Sequence, residues 1–478
     1  MNNLNFLVDV LKDSPVFKTL EKNIKPGRTV CASGLSTINK SNIIYALCRL
    51  KGVTAFCLAS DEKEAQTLCN DLSCMGLRAY VYPVRDFNFL DFQSRSHEYE
   101  HARLKVLLKL INHECDVAIA CVDAAAQLTV PRNVLEQSVI EFEEGRELSL
   151  EKATKALTLL GYERFDAVEG SGQFSLRGGI LDFFMPDSDY PVRCEFWGDE
   201  ITDLSYFDIE TQRRFKKADK ITLSPSTEIV IEDRAALADK IEHKAKLLRS
   251  KNSAKAKEKL FSEAELIRSG AMIANADKFI NQIYDKPESL FDYLDRNTLV
   301  FASEFTAIQE RGKSMDFISN ETLMQGFEDG TLCRGFDRFA LTFNECTEFL
   351  QSHGTIVLEN FVHGSMPIKL SEIISFSTKQ LSAWGGSYKQ LKEDVDGLFT
   401  PESKGVIFAG TERAAKNLCD TFNADGINAV YSEGADKISK GELLVMQGAL
   451  SAGFEYPSQK FFAITYIRFR TVPKSPKE

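Results

Sequence analysis

The sequence predicts a multidomain α/β protein in which a parallel α/β unit precedes a mostly antiparallel β unit and a second, small α/β unit. The first reason is length, because 478 residues exceed what one compact core normally holds. The second is the pattern along the chain, which passes from alternating strands and helices to strands alone and back again. A hydrophobic fraction of 44% also indicates folded domains rather than disorder.

Residues 29–122 alternate between apolar runs and segments of helical periodicity. The periodic segments predict helices at about 40–50, 61–75 and 97–112. The apolar runs predict four strands: Thr29–Ala32, Val53–Leu58, Ala79–Tyr82 and Val117–Val122. This alternation is typical of a helicase-like parallel sheet that is covered by helices on both faces.

From about residue 128 to 212 the pattern consists mainly of strands joined by Gly and Pro turns, which indicates an antiparallel meander. The predicted strands are Phe174–Arg177, Gly179–Phe184, Val192–Trp197 and Ile201–Phe207. A charged helical stretch, Ala235–Ser269, follows, and its lysines are typical of a solvated helical face. After about residue 338 another strand-and-helix unit begins, with strands predicted at 405–410 and 443–448.

The composition favours a protein partner over nucleic acid. The net charge is −11, so the surface as a whole should repel DNA, and any DNA contact would have to be local. The apolar runs are too short to span a membrane, and the first residues do not resemble a signal peptide. The 11 cysteines include no C-x-x-C pair and predict buried, reduced thiols. We therefore expect a cytoplasmic protein with no metal site and no membrane association.

A degenerate nucleotide loop of the Walker A type runs from Gly34 to Ser41, between a predicted strand and a predicted helix. Lys40 and Ser41 match the residues that reach the outer phosphates and magnesium, but Asn39 replaces the second glycine. Because Asn tolerates positive φ better than other side chains do, we expect a damaged rather than an abolished loop. The metal-binding aspartate is also missing, since its best candidate is Ser303 of the pair Ser303-Glu304. Two departures predict a vestigial site without ATP hydrolysis or a bound cofactor.

The segment His97-Glu98-Tyr99-Glu100-His101 matches H-E-x-x-H, the pattern of a zinc protease. The alternative is the solvated first turn of a helix, where acidic residues are favourable. No further H-x-x-G-x-x-H pattern follows, so we favour the helical turn.

The most informative segment is residues 161–213. Strand alternation places Phe174 and Leu176 on one face and Arg177 on the other. Phe183 and Phe184 are adjacent, so only one of them can serve the core. An exposed aromatic residue beside arginines is typical of a protein-binding surface. The alternative is a small domain that packs against its neighbour.

This segment resembles the domain shared by transcription-repair coupling factors and the excinuclease component UvrB. The matching motifs are Gly161-Tyr-Glu-Arg164-x-Asp166, Gly172-Gln-Phe-Ser-Leu-Arg177-Gly-Gly-Ile-Leu-Asp-Phe-Phe-x-Pro186, Pro191-Val-Arg193-x-Glu195-Phe, Gly198-Asp-Glu-Ile201 and Phe207-Asp-x-Glu-Thr-Gln-Arg213. In the family this domain binds the excinuclease component UvrA, and arginines matching Arg164 and Arg177 carry much of the contact. Ser175 stands where UvrB has a third arginine. The resemblance implies the following partner-binding residues: Arg164, Arg177, Phe183, Phe184 and Arg193.

Weaker resemblance to the coupling factors extends over nearly the whole chain, including residues 29–48, 81–110, 289–301 and 443–465. It implies a split UvrB-like α/β domain at 1–127 and 213–330, with the UvrA-binding β domain inserted at 128–212. A variable α/β domain with a divergent basic tail would occupy residues 338–478.

The function implied is that of an adaptor in transcription-coupled nucleotide excision repair, a response to DNA damage. The sequence contains no second phosphate loop, DExH box or Q-x-x-G-R-x-x-R motif, so we expect neither a translocase motor nor enzymatic activity. RNA polymerase and DNA would be contacted only through parts of the family that this chain lacks. The alternative is an ATP-hydrolysing, UvrB-like enzyme that binds damaged DNA.

Overall fold

The computed structural model describes residues 4–85, 97–137, 140–249, 253–270, 276–361, 366–381 and 387–466. Within these residues the strands form a seven-stranded sheet, two six-stranded sheets and a two-stranded sheet. The predicted multidomain α/β class is confirmed. None of the helices described is long and apolar enough to cross a membrane.

The first part of the chain alternates between helices and strands as predicted. Its elements are α1 (Asn5–Lys12), α2 (Pro15–Asn23), β1 (Val30–Ser33), α3 (Thr37–Lys51), β2 (Ala55–Ala59), α4 (Glu62–Cys74), β3 (Ala79–Tyr82), α5 (Glu98–Ile111), β4 (Val117–Cys121), α6 (Val122–Ala126) and α7 (Arg132–Gln137). Local signals set several of their ends. The Asp61 carboxylate accepts a hydrogen bond from the Glu64 amide at 2.7 Å and caps α4, and Gly52 ends α3 in the left-handed conformation.

The second part is rich in strands. Its elements are β5 (Ile140–Glu143), α8 (Leu150–Leu159), β6 (Glu163–Arg164), β7 (Gln173–Arg177), β8 (Ile180–Phe183), β9 (Val192–Trp197), β10 (Glu200–Phe207), β11 (Arg214–Lys217) and β12 (Lys220–Leu223). The order of the six-stranded sheet is β11-β10-β9-β8-β7-β6, and β5 pairs with β12 separately. The predicted meander is confirmed, because β7 to β11 pair antiparallel in succession. The short edge strand β6 pairs with β7 in parallel.

The chain then returns to helices and parallel strands. The elements are α9 (Arg234–Leu247), α10 (Ser253–Ser269), a 3₁₀ turn (Ala276–Phe279), α11 (Ile280–Ile283), a second 3₁₀ turn (Leu290–Tyr293), β13 (Leu299–Ser303), α12 (Phe305–Asp329), α13 (Phe343–His353), β14 (Thr355–Leu358) and β15 (Glu372–Ser375). The charged stretch predicted at 235–269 therefore contains two helices, and residues 250–252 between them lie outside the described part.

The last part is a smaller α/β unit. Its elements are β16 (Lys379–Leu381), α14 (Tyr388–Leu398), β17 (Lys404–Phe408), α15 (Glu412–Ala424), β18 (Ala429–Tyr431), β19 (Glu442–Met446), β20 (Gly453–Tyr456), a 3₁₀ turn (Pro457–Gln459) and β21 (Phe461–Thr465). Its strands lie in the order β16-β20-β21-β17-β19-β18, and both predicted strands, β17 and β19, are confirmed at its centre.

The large sheet has the order β15-β1-β14-β13-β2-β4-β3, and all its neighbouring strands are parallel. Strands β14 and β15 come from beyond residue 338 and flank β1, so this sheet extends past residue 330. Strand β14 is fully buried and, after Thr355, apolar, as is typical of an inner strand of a parallel sheet. The domain boundaries themselves stay a prediction.

The last α/β unit packs directly on the large one. Leu7 of α1 and Ile43 and Leu47 of α3 belong to the same buried apolar cluster as Phe408 and Phe461 of the last sheet. Burial of this kind stabilises the junction roughly in proportion to the apolar area removed from water. The degenerate nucleotide loop therefore lies next to an interface between two α/β units.

Candidate partner-binding surface and degenerate nucleotide loop

The Phe376 backbone and the Thr378 side chain lie against Gly34, the first residue of the degenerate loop. Gly34, at the end of β1, is in the left-handed region with φ 79°, and a Cβ added there would lie 2.2 Å from the carbonyl oxygen of Phe376. The Thr378 hydroxyl donates to the Gly34 carbonyl at 2.6 Å. A loop that cradles phosphate needs open space and free backbone donors above its glycine. Here protein backbone takes that space.

Asn39 does not stand in for a loop glycine, so our expectation of a left-handed residue there is wrong. Helix α3 begins at Thr37, and Asn39 is not among the described residues with positive φ. Its side-chain oxygen accepts a hydrogen bond from the Ser36 hydroxyl at 2.7 Å. That contact ties Asn39 to the residue before the helix and leaves it in the first helical turn.

Lys40 is buried among carboxylates. Its side chain is 2% exposed, and its Nζ donates to Ser303 Oγ at 2.9 Å and to Glu304 Oε1 at 2.5 Å. A third contact joins it to Glu64 Oε1 at 3.3 Å. The structure thus places Ser303 and Glu304 beside the loop, at the end of β13. In a working loop the ammonium would be offered to phosphate, whereas here it is held by these protein groups.

The surroundings of Lys40 carry more negative than positive charge. Although burial opposes it, Lys40 holds the pKa of Glu64 below its usual value. Burial, with help from Glu304, raises the pKa of the nearby Glu359 carboxyl well above its usual range. Phosphate groups brought to this place would be repelled by carboxylates that already hold the lysine.

We therefore expect the chain not to bind or hydrolyse ATP. Lys40 would have to give up two carboxylate contacts, and residues 376–378 would have to leave the loop, before phosphate could enter. Equilibrium dialysis with ATP and magnesium, and phosphate release with and without DNA, should both give background values for the parent and for Lys40→Ala. DNA-stimulated hydrolysis that disappears in Lys40→Ala would contradict this expectation.

Buried polar residues of α3 and α4 contact the last α/β unit. Asp71 of α4 is fully buried and accepts hydrogen bonds from the Ser451 amide and hydroxyl, each at 2.7 Å, and from Ser41 Oγ at 3.3 Å. Asn42, the residue after Ser41 on α3, donates a hydrogen bond from its Nδ2 to the Tyr456 hydroxyl at 3.0 Å. Buried polar groups need such partners, so these residues serve the interface between the units.

We expect Asp71→Asn to gain stability relative to the parent as the pH rises. Burial raises the pKa of Asp71 from 3.8 to about 6, so the folded state favours the neutral acid. The stability contributed by the neutral form is present below the unfolded pKa and is lost as pH rises through about 6. Asn avoids this loss, which amounts to about 3 kcal/mol for a shift of this size. Denaturant unfolding of both proteins at about pH 4.5 and about pH 8 should show about 2 kcal/mol of this difference, because about one third of the loss has already occurred at pH 4.5.

Asp116→Asn is the matched control for this experiment. Although burial opposes it, pairing with Arg78 lowers the pKa of Asp116, so its carboxylate is ionised in the folded and unfolded states at both pH values, and the free-energy difference between Asp116→Asn and the parent should hardly change between them. If the difference in unfolding free energy between Asp71→Asn and the parent does not change with pH, the raised pKa of Asp71 is contradicted.

The H-E-x-x-H segment forms the first turn of α5. The two histidine rings stack with their centroids 5.9 Å apart, and His97 Nδ1 lies 3.0 Å from Glu100 Oε2. Among the residues described, no group of three or more His, Cys, Asp and Glu side chains is arranged to hold a metal ion. The same residues include all 11 cysteines, none of which forms a disulfide, and most of which are buried.

The six-stranded sheet of the β unit has an apolar inner face. Phe174 and Leu181 pack there against Ala153 and Leu157 of α8. Phe183 lies on the same face, fully buried, with its ring centroid 5.0 Å from that of Phe142. The next residue, Phe184, is half-buried. Of the two aromatic candidates, only Phe184 has surface to offer a partner.

The predicted arginines differ in exposure. Arg164 lies on the edge strand β6 and is exposed, and it forms no ion pair or side-chain hydrogen bond with the described part of the chain. Arg177, at the end of the neighbouring strand β7, has a side chain that is 54% exposed. Arg193 is 13% exposed and stacks over the Phe207 ring at 4.3 Å from its centroid. Arg164 is in register with Phe174, three positions before Arg177, so the two exposed arginines are about 10 Å apart along the strand direction, and strand alternation directs them to opposite sides of the sheet.

Two residues of this unit were not singled out from the sequence. Asp182 is buried on the outer face, between Ser175 and Arg193 on the neighbouring strands. Trp197, at the β9–β10 turn, is 83% exposed. Strand alternation from Arg193 to Trp197 would have placed Trp197 on the outer face, whereas Asp182 needed knowledge of the strand register.

Ser175 occupies the position at which UvrB has a third arginine. Its side chain is 1% exposed, and its hydroxyl donates to the Asp166 carbonyl at 2.8 Å. It therefore ties β7 to the preceding loop and offers no surface contact.

Comparisons with known proteins agree with the architecture of this β unit. Residues 140–229 match the UvrB interaction domain family. Over 95% of its length, the chain is 26% identical to the transcription-repair-coupling factor of Bacillus subtilis strain 168, of which it covers 39%. It is 25% identical over 81% of its length to the same factor of Staphylococcus epidermidis strain RP62A, covering 33% of that protein. For the factor of Staphylococcus aureus strain USA300 the identity is 21% over 97% of this chain, which covers 40% of that protein.

The chain thus spans 33 to 40% of the length of these curated relatives. The similarity runs through the large α/β unit, the β unit and the last α/β unit, since it covers 95% of the chain in the Bacillus subtilis comparison. The chain is therefore homologous to the amino-terminal region of transcription-repair coupling factors and contains a UvrB interaction domain at residues 140–229.

Proposed function

We propose that this chain recruits UvrA, the damage-recognition ATPase of the excinuclease, in transcription-coupled nucleotide excision repair. The observation that carries the proposal is the match of residues 140–229 to the UvrB interaction domain, in a homologue of the coupling factors. The two arginines that the family resemblance assigns to UvrA binding, Arg164 and Arg177, are both exposed in this unit. Arginine is enriched where protein interfaces concentrate their binding energy.

The binding residues proposed are Arg164, Arg177 and Phe184, with Arg193 in a supporting position. Phe183 is omitted because its ring belongs to the core. Arg193 is mostly buried and is occupied by contacts inside the unit. Arg164 and Arg177 therefore supply the free guanidinium donors of this surface.

We propose that the chain acts as a binding module and not as an ATPase or a motor. The carboxylates around Lys40 and the contacts of Phe376 and Thr378 with Gly34 support this role. The competing hypothesis of an ATP-hydrolysing, UvrB-like enzyme requires Lys40 and the space above Gly34 to be free for phosphate. Contacts with RNA polymerase and DNA are assigned to the parts of the coupling factors that this chain does not span.

A capture experiment tests the proposed function. Immobilised chain should retain purified UvrA in the absence of ATP, DNA and RNA polymerase. A matched surface carrying Arg164→Ala/Arg177→Ala should retain much less. Equal retention on both surfaces would show that the binding site lies elsewhere, and no retention on either would refute the recruitment role.

A further inference from the structure

The outer face of the β unit contains a carboxylate that is shared by two arginines. Asp182 is 1% exposed, yet it accepts hydrogen bonds from Arg193 Nε and Nη2, each at 2.8 Å, and from Arg177 Nη2 at 3.1 Å. The strand register produces this arrangement, because Asp182 on β8 is directly opposite Arg193 on β9. A buried carboxylate is tolerated only when it is paired and hydrogen-bonded in this way.

The two arginines are held to very different extents. Arg193 also donates to the carbonyl and side-chain oxygens of Gln212, at 3.1 and 3.0 Å, and stacks on Phe207. Its position is therefore fixed from three sides. Within the described part of the chain, Arg177 donates one side-chain hydrogen bond, to Asp182, and it is 54% exposed. Since a guanidinium has five N–H donors, most of those of Arg177 face solvent.

We propose that Asp182 is a positioning residue for UvrA binding: it holds the Arg177 guanidinium so that its free edge meets a carboxylate of UvrA. The inference rests on the proposed function and adds the chemistry of the contact. Two guanidinium groups carry more positive charge than the single carboxylate between them. A carboxylate of UvrA, bound at the free edge of Arg177, would balance the remaining charge. The planar fork of arginine suits bidentate binding of such a group.

A protein carboxylate fits this surface better than a nucleic acid phosphate does. The same outer face carries Glu195 and Asp203, which already pair with Arg214. A phosphate backbone would bring many negative charges against these acids and against a chain of net charge −11. A single partner carboxylate needs only the free edge of Arg177.

The positioning role predicts that loss of Asp182 changes the dissociation rate of the complex and does not slow its association. Asp182→Asn removes one negative charge near the contact, so association with an acidic site should not slow down. Arg177 would lose its anchor and would have to be ordered during binding, a cost that appears mainly in the dissociation rate. We expect dissociation to be about 5- to 10-fold faster, the effect of losing one pre-ordered long side chain.

Surface plasmon resonance with immobilised UvrA and the full chain tests this role through a double-mutant cycle. The proteins are the parent, Asp182→Asn, Arg177→Ala and the double variant, with Glu151→Gln on α8 as a charge-matched control on the other side of the unit. Asp182→Asn should speed dissociation in the parent and have little further effect in the Arg177→Ala background. Glu151→Gln should bind as the parent does. Equal effects of Asp182→Asn in both backgrounds, or none in the parent, would overturn the proposal.

Arg177→Lys gives a second test that does not disturb the buried carboxylate. Lysine keeps the charge but lacks the planar fork, so dissociation should again be faster while association is unchanged. Dissociation as slow as that of the parent would overturn the positioning role even if Asp182→Asn fails to fold. A parent chain that does not bind UvrA would refute the proposed function itself, whereas a parent that binds and a cycle without coupling would refute only the role of Asp182.

Discussion

Arg164→Ala/Arg177→Ala should lose between about 30-fold and about 1,000-fold of affinity for UvrA. Truncating one central arginine of an interface typically costs about 2 kcal/mol or more, and two such losses add fully only if the residues act independently. Both side chains are exposed and neither belongs to the apolar core, so the fold of the unit should be unaffected. Isothermal titration calorimetry with purified UvrA measures the change.

Lys155→Ala is the matched control for this variant. Lys155 lies on α8, which covers the inner face of the same sheet, and its side chain is 72% exposed. The Lys155→Ala substitution removes one positive charge from the unit but changes neither the outer face nor β6, so the affinity for UvrA should stay close to that of the parent. Parental affinity of the arginine variant, together with an unchanged circular dichroism spectrum, would show that the binding surface is assigned to the wrong residues.

Arg103→Ala should destabilise the chain by about 3 to 5 kcal/mol, which is the typical cost of removing one partner of a buried ion pair. The side chains of Arg103 and Glu228 are both 0% exposed. Arg103 Nε donates to Glu228 Oε1 at 2.6 Å, and Nη1 donates to Gln127 Oε1 at 2.7 Å and to the Pro83 carbonyl at 3.1 Å. These contacts join α5 of the large α/β unit to the segment that leaves the β unit. Removing the guanidinium leaves a buried carboxylate with fewer donors.

Denaturant unfolding measures this loss, with Lys51→Ala as the control. Lys51 forms an ion pair with Glu21 in which both side chains are more than one-third exposed, and such pairs contribute little. The double variant Arg103→Met/Glu228→Leu should recover part of the stability, because it removes both charges and keeps apolar volume. An Arg103→Ala protein that unfolds at the parent's midpoint would show that the pair is dispensable.

Much of the fold could be predicted from the sequence because its strands are short, apolar and separated by periodic helices. The strands Ala79–Tyr82 and Val192–Trp197 have the bounds that the sequence pattern predicts. The adjacent pair Phe183 and Phe184 illustrates the limit of such reasoning. Alternation requires them to point to opposite faces, but only the packing of α8 and β5 decides that Phe183 is the buried one.

The features that the sequence did not predict depend on contacts between distant segments. Asp71 meets Ser451 across 380 positions of the chain, and Gly34 meets Thr378 across 344. No local pattern in the sequence indicates these two contacts. The prediction for Asn39 failed for a different, local reason, since its contact with Ser36, three residues earlier, accompanies its place in the first turn of the helix.

Residues 140–229 of this chain should bind UvrA, which is the central claim of the proposed function, and should do so at the site where UvrB binds, because they match the UvrB interaction domain family. The most direct measurement is a titration of UvrA with the chain, repeated in the presence of saturating UvrB. We predict saturable binding without ATP, DNA or RNA polymerase, and loss of that binding when UvrB occupies UvrA. No binding would contradict the proposed function, and a complex in which UvrA holds the chain and UvrB together would contradict the shared binding site.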